Sequence, residues 1–252
     1  MLIDSHCHLA SSQFDPDREV VIRRAIENNV KYMISVGFDL DGCKKTVELA
    51  ENYDSVYAVI GIHPHNAKDV DTETYSTLKE LAKSKKVIAY GEIGLDFYRN
   101  LSPRKTQLDK FYEQIKVAKE LGLPLVIHDR EAHEETLDAL RESNMNGVIH
   151  CFSGDYELAK KFIDLGFYIS IPTTVTYKNN LRLHEVVKKF PLDRILIETD
   201  APALAPEPYR NKRNEPAWVK YAAKKIAELK ELTFEQVVNA TSKNTKTIFK
   251  IE

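Results

Sequence analysis

Eight short runs of β-branched and aliphatic residues alternate with longer amphipathic segments, and this alternation constrains the fold more than any other feature of the chain. The strand-like runs are Leu2–His6, Lys31–Val36, Val56–Ile62, Val87–Glu92, Pro124–His128, Gly147–His150, Phe167–Ile171 and Arg194–Thr199. Helix-patterned stretches lie between them, at Asp17–Asn29, Asp41–Tyr53, Thr72–Ser84, Ser102–Leu121, Glu131–Ser143, Tyr156–Leu165 and Asn179–Phe190, with two more after the last strand. Such an order builds a parallel sheet, because each helix carries the chain back to start the next strand. Gly122-Leu123-Pro124 ends one helix and opens a strand, as a C-terminal glycine followed by proline should. Eight strands with seven intervening helices predict an α/β fold, a (β/α)8 TIM barrel, as a single domain over residues 1–252. An open doubly wound sheet is the competing arrangement. It would carry a glycine-rich turn after the first strand, where this chain reads Ser5-His6-Cys7-His8.

Composition narrows the class. With 43% hydrophobic and 29% charged residues, the chain can bury a sizeable core and is not disordered. Its 36 Lys+Arg against 38 Asp+Glu leave a formal charge of −2, so any polyanion must be held by a local patch and not by bulk charge. Cys7, Cys43 and Cys151 show neither a disulfide framework nor CxxC spacing, which predicts a reducing, cytoplasmic location. Strand-like sequence from Leu2, and no apolar run near ~18 residues, predict neither export nor membrane insertion.

In such a barrel the reactive groups sit at the C-terminal strand ends, where the βα loops open. Polar residues collect there: His6 and His8 on the first strand, His63 and His65 after the third, Glu92 on the fourth, His128 on the fifth, His150 on the sixth, and Glu198 and Asp200 on the eighth. Residues two apart on a strand share a side. His6 and His8 should therefore point together with Cys7 turned away, Glu198 should share a side with Asp200, Thr199 should face away, and Asp4 should lie one layer below His6. Four imidazoles and two carboxylates, from His6, His8, Glu92, His128, His150 and Asp200, exceed what one tetrahedral ion needs. They predict two divalent metal ions, drawn from zinc, manganese, iron, cobalt, nickel or magnesium, with Glu92 on its middle strand as the bridge. Pro64 fixes the turn of His63 and His65; His63 is assigned to the catalytic group and His65 to substrate contact, against a purely structural role. Cys7 and Cys151, each next to a candidate ligand, face away by parity and with Cys43 read as small buried hydrophobes, and the helical His133 and His184 read as surface residues.

These residues resemble a known family. Ile3-Asp4-Ser5-His6-Cys7-His8-Leu9, Gly61-Ile62-His63-Pro64-His65, Gly91-Glu92-Ile93-Gly94-Leu95-Asp96-Phe97, His150-Cys151-Phe152-Ser153-Gly154 and Glu198-Thr199-Asp200-Ala201-Pro202 are similar, in order, to the motifs of TatD-type metal-dependent hydrolases, often described as deoxyribonucleases, of the amidohydrolase superfamily. The resemblance implies a TIM barrel with one ion on His6, His8, Glu92 and Asp200 and the other on Glu92, His128 and His150. Two departures concern the substrate rim: Ala201-Pro202-Ala203 where many members have Ser-Pro-Tyr, and Asp129-Arg130-Glu131 after His128.

The expected activity is metal-assisted hydrolysis of phosphodiester bonds, with nucleic acid, single-stranded DNA, as the expected substrate and partner. Asp200 is the candidate general base, and Glu198, one layer deeper, orients ligands or relays the proton. Arg130, Arg210, Lys212 and Arg213 are candidate phosphate clamps, against the reading of a solvated basic loop. Phe97 and Tyr98 are candidates for stacking on a base, against a packed loop. Two alternatives stand beside this one. The same centre could cleave a carbonyl ester or amide such as an aminoacyl linkage, or the barrel could be a non-catalytic scaffold that binds metal or nucleic acid.

Overall fold

The structure, a computed structural model, describes residues 1–252. Its strands are β1 (Leu2–Cys7), β2 (Val30–Val36), β3 (Val56–Ile60), β4 (Val87–Asp96), β5 (Leu125–Arg130), β6 (Gly147–Ile149), β7 (Tyr168–Pro172) and β8 (Ile195–Glu198). They form one parallel sheet in chain order. Seven helices alternate with them: α1 (Arg18–Glu27), α2 (Leu40–Asn52), α3 (Thr72–Leu81), α4 (Arg104–Leu121), α5 (His133–Ser143), α6 (Tyr156–Asp164) and α7 (Leu181–Lys189). Two more, α8 (Val219–Lys230) and α9 (Phe234–Phe249), follow β8. The ring closes through a short seam in which the Asp200 amide donates to the His6 carbonyl at 3.0 Å and the His8 amide to the Ala201 carbonyl at 2.7 Å. The sheet is thus a (β/α)8 barrel, with each strand at its predicted place.

Two apolar layers hold it. One buried cluster of 57 residues fills the space between strands and helices. A second, of 12, contains Ile3, Ile34, Val59, Ala89, Val126, Val148 and Leu196, one from each of seven strands, and is the packed barrel interior. Ile248, Phe249 and Ile251 join it from the end of α9, which therefore plugs the barrel. Local signals set the helix ends: Asp71 and Thr74 form a reciprocal cap on α3, Thr233 and Gln236 another on α9, and Gly122 closes α4 at φ 66°.

Of the register shifts in the sheet, two bear on the site. On β1, Asp4 pairs with Met33 and Cys7 with Ser35, and on β4, Tyr90 pairs with Leu125 and Ile93 with Ile127, three residues' advance against two each time. A one-residue insertion reverses the facing of everything beyond it. Ile3 belongs to the inner cluster and Cys7 to the outer one, so Asp4 faces outward whereas His6 and His8 face inward. The expectation that Asp4 lies one layer below His6 is therefore wrong. Asp4 sits on the outer side of the seam, where its carboxyl accepts from the Thr199 amide at 2.9 Å and shares a 2.6 Å hydrogen bond with Thr199 Oγ1. Thr199 does face away from the mouth.

Candidate metal centre

Six side chains from five strands converge above the apolar barrel interior, and Glu92 stands between them. Its Oε2 lies 3.3 Å from His6 Nε2 and 3.9 Å from His8 Nε2; those two nitrogens are 3.3 Å apart. Asp200 Oδ1 adds a donor 3.3 Å from His8 Nε2 and 4.0 Å from His6 Nε2. On the other side, Oε1 lies 2.8 Å from both His128 Nδ1 and His150 Nε2, which are 3.4 Å apart. Tetrahedral ligands at about 2.1 Å from a cation are separated by roughly 3.4 Å, close to the separations among His6, His8, Glu92 Oε2 and Asp200 and to the 3.4 Å between His128 and His150, whereas Oε1 sits at hydrogen-bond distance from the latter two. Their chemistry fits too. Imidazole nitrogen with carboxylate oxygen suits a divalent transition metal, and so many buried acids and imidazoles would be costly without a cation to share.

Polar groups on the far side of these candidate ligands orient them. His8 Nδ1 bonds the Val36 carbonyl at 2.9 Å, so Nε2 carries the free lone pair. Glu198, fully buried, accepts from the Cys151 amide at 2.7 Å and approaches His150 Nδ1 at 3.4 Å. Its Oε2 has no partner, and neither has His6 Nδ1. Burial alone would raise the Glu92 carboxyl, but His150, His63 and His128 outweigh it and hold Glu92 well below the usual carboxylate range. Asp200 is likewise lowered, because its bond to His8 overcomes the effect of burial.

His63 is held differently from the ligands. Its Nδ1 accepts the His65 amide at 3.1 Å, which leaves the proton of the neutral ring on Nε2, 3.3 Å from Glu92 Oε1. Burial pushes its pKa down to about 4, so the ring is neutral at ordinary pH. Sequence reasoning missed Asp96. This buried carboxylate accepts the Arg99 amide at 2.7 Å and joins His65 Nε2 at 2.8 Å to His128 Nε2 at 3.3 Å, tying three βα loops together. Its signal was present, since residues 92, 94 and 96 share one period-two row of β4.

The centre opens into a cleft of about 950 Å³. His65 and Arg130 line it as expected, with the Arg130 guanidinium over the Tyr98 ring at 4.1 Å. Arg210 and Arg213 do not line it. Arg213 is committed to both oxygens of Asp17 at 2.8 and 2.6 Å, while Arg210 lies over Tyr177 and reaches Glu207 at 3.4 Å. Lys212 packs over Tyr209. Two cations the sequence did not single out, Lys68 and Arg99, do line the cleft. Phe97 is buried as loop packing, and Tyr98 is exposed. Cys151 does not turn away: β6 ends at Ile149, the residue takes φ 45°, and strand parity no longer applies, so Cys151 also lines the cleft. His133 and His184 are half-buried and not free surface groups, bonded to Asp129 at 2.7 Å and to the Val175 carbonyl at 2.7 Å. No helix is long and apolar enough to cross a membrane.

Comparison with known proteins agrees with this geometry. A family model described as "TatD related DNase" matches residues 3–250. An uncharacterized metal-dependent hydrolase of Bacillus subtilis, YabD, is 45% identical over 254 residues, covering 100% of both chains. A protein of Cronobacter sakazakii named 3'-5' ssDNA/RNA exonuclease TatD is 36% identical over 236 residues, covering 90% of this chain and 89% of its own. The crystal structure of YjjV, a TatD homologue from Escherichia coli, superposes with a TM-score of 0.94 at 30% identity, covering 100% of this chain and 98% of that one. With the family's motifs spread over the whole barrel and their side chains gathered at one mouth, the chain belongs to the TatD family of metal-dependent hydrolases.

Proposed function

We propose that the protein hydrolyses phosphodiester bonds of single-stranded nucleic acid, DNA foremost, at a centre of two divalent cations. The observation that carries this reading is the division of donors by Glu92, whose Oε2 faces His6 and His8, with Asp200 beside those two imidazoles, while its Oε1 faces His128 and His150. Those residues would hold the two ions, with Glu92 shared. His63 is left out of ligation because the nitrogen it aims at Glu92 carries a proton. Relatives named as exonucleases of single-stranded DNA and RNA support the choice of substrate.

Divalent cations bound there polarise a phosphoryl oxygen and bring the acidity of water towards neutrality. Two such ions against the carboxylates of Glu92 and Asp200 leave a local charge of about +2, which draws phosphate in despite the overall negative balance. Asp200, at the open edge of the centre, accepts the proton of the attacking water. His63 offers its Nε2 hydrogen to a phosphoryl or leaving oxygen. Glu198 positions His150 from below, and Asp96 positions His128.

Metal analysis with a substrate screen tests the proposal. Two equivalents of metal per chain, with turnover of single-stranded DNA and simple phosphodiesters, is the expected result. Turnover of aminoacyl or carboxylic esters alone would move the assignment to carbonyl chemistry. Two bound metals with no turnover of any substrate would make the barrel a scaffold.

A further inference from the structure

The two walls of the cleft differ in kind. Lys68, Arg99 and Arg130 come from the successive loops after β3, β4 and β5 and stand along one side. The opposite side, from the loops after β1, β2 and β8, has Ser11, Gln13, Phe38, Pro202 and Leu204 at its rim and no charged residue above Asp200. Phe38 and Leu204 are exposed there at 39% and 36%.

The three cations are unpaired. Lys68 reaches only the Leu101 carbonyl, at 3.5 Å, Arg130 only the Tyr98 ring, and the Arg99 side chain touches no acid. Arg24, Arg141 and Arg213 have carboxylate partners, while Arg104 and Arg194 lie only over the Phe97 and Tyr168 rings; what sets Lys68, Arg99 and Arg130 apart is that all three line one cleft. Two acids share the charged wall, and one of them, Asp129, is committed to His133 and Thr136. Only Asp69 is free to offset the cations. The loops that carry the wall are built to hold their places: the Lys68 amide donates to Ser102 Oγ at 3.2 Å, Ser102 Oγ to the His65 carbonyl at 2.8 Å, and the Phe97 amide to the Arg130 carbonyl at 2.9 Å.

We infer that this wall is a subsite for the phosphate next to the scissile one, Lys68 and Arg99 being its main contacts, and that the facing apolar wall takes the base. The inference rests on the phosphodiester reading above and extends it: the preferred substrate is an oligonucleotide with at least two charged linkages, and not an isolated diester. Unpaired guanidinium and ammonium groups in a cleft recognise phosphate oxygens by charge-assisted hydrogen bonds. A planar base needs only apolar surface to stack on.

The test uses the metal-loaded protein and two thymidine tetramers, one with all linkages charged and one with neutral methylphosphonates at every linkage but one. For the wild type, kcat/KM should be about tenfold higher on the charged tetramer, the lower end of what charged hydrogen bonds contribute. In the Lys68→Ala/Arg99→Ala double variant the two tetramers should differ by less than about twofold, the change lying in KM. A double variant that keeps the wild-type preference, or a wild type that has none, would overturn the subsite. Fluorescence anisotropy of a labelled thymidine octamer gives a reading free of turnover. The slope of log affinity against log salt should flatten by about 0.7 in the double variant, the value for one single-strand phosphate contact. An unchanged slope refutes the wall even if hydrolysis proceeds, whereas a flattened slope with neither tetramer cleaved keeps the wall and removes the hydrolytic assignment.

Discussion

Replacing Gly94 by alanine tests whether the β4–β5 pairing sets the geometry of the centre. Gly94 pairs with His128 across the two strands and holds φ at 139°, a conformation that side-chain-bearing residues rarely adopt. A Cβ built there would lie 2.0 Å from the His128 carbonyl oxygen and 3.1 Å from its amide nitrogen. An ordinary contact to that oxygen needs upwards of 3 Å, so β5 must retreat by about 1 Å at the residue that offers Nδ1 to the centre. Backbone strain of about 1–3 kcal/mol and a steric cost of about 1–3 kcal/mol give a loss of roughly 2–6 kcal/mol. For a domain of this size that lowers Tm by about 5–20 °C. Moving a ligand by about 1 Å should cost on the order of 100-fold in kcat/KM and weaken metal retention. Gly122→Ala is the matched control. It also has positive φ, 66°, but a Cβ there meets nothing within 4 Å, so only a left-handed penalty of about 1–2 kcal/mol is expected, with activity and metal content intact. Thermal melts, metal analysis and phosphodiester turnover of the two variants side by side decide the matter. If Gly94→Ala melts with Gly122→Ala and keeps its metal, the reasoning from strand contact to site geometry fails.

Three further expectations follow from the same geometry. Asp200→Asn should lower hydrolysis by about 100- to 10,000-fold as a proton acceptor is lost, with the Tm of the metal-free protein nearly unchanged because the residue stands above the packed layers; rates near wild type would refute its role. Removing both ions with a chelator should lower Tm by about 11–22 °C, the equivalent of the ~2.7 kcal/mol that each cation at 100 times its Kd contributes, and acidification below pH ~6 should release metal as protons compete for the imidazole lone pairs; metal content constant down to pH 5 would contradict histidine ligation. Arg213→Ala should leave KM within about twofold of wild type, because Arg213 faces Asp17 and not the cleft. Arg213 holds the Asp17 carboxyl below its ordinary pKa, so the pair supports folding above the unfolded carboxylate's pKa of about 4 and loses this as pH falls through the lower folded value. Acid melts of the variant should lack that increment.

The barrel was legible because its signal is periodic: seven helix patterns separate eight strands, and the strand-end histidines fall at one end of every strand that carries them. The convergence of the candidate ligands at one mouth was legible for the same reason. Reading failed where the period breaks. Asp4 was misplaced because an extra residue enters β1 between Asp4 and Cys7, and Cys151 because its strand stops two residues earlier and the chain turns left-handed. Arg210 and Arg213 sit close in sequence to Asp200, but loop trajectory decides what they face, and the Asp17 partner of Arg213 lies 196 residues away. Lys68 and Arg99 carry no pattern at all; only closure of the ring brings their loops to one wall.

The breaks in regularity are also where the centre is made. His6 and Glu92 lie in the two stretches with an extra residue, and Asp200 takes φ 57° just beyond β8, so three donors that face one another come from backbone that departs from a plain strand. A regular β1 in register with Asp4 would have turned His6 towards the helices, out of reach of Glu92. Irregular backbone of this kind needs partners that regular ladders do not. They are present: Asp4 binds the Thr199 amide and hydroxyl from the outer face, and Ser5 Oγ donates to the Ile197 carbonyl at 2.9 Å. Asp4 and Thr199 thus fix the spacing of the strand ends bearing His6 and Asp200 without touching either side chain's donor atom. The lower barrel, packed with aliphatic residues and closed by α9, meanwhile supplies the stability that lets so many buried acids and imidazoles stand together at the mouth.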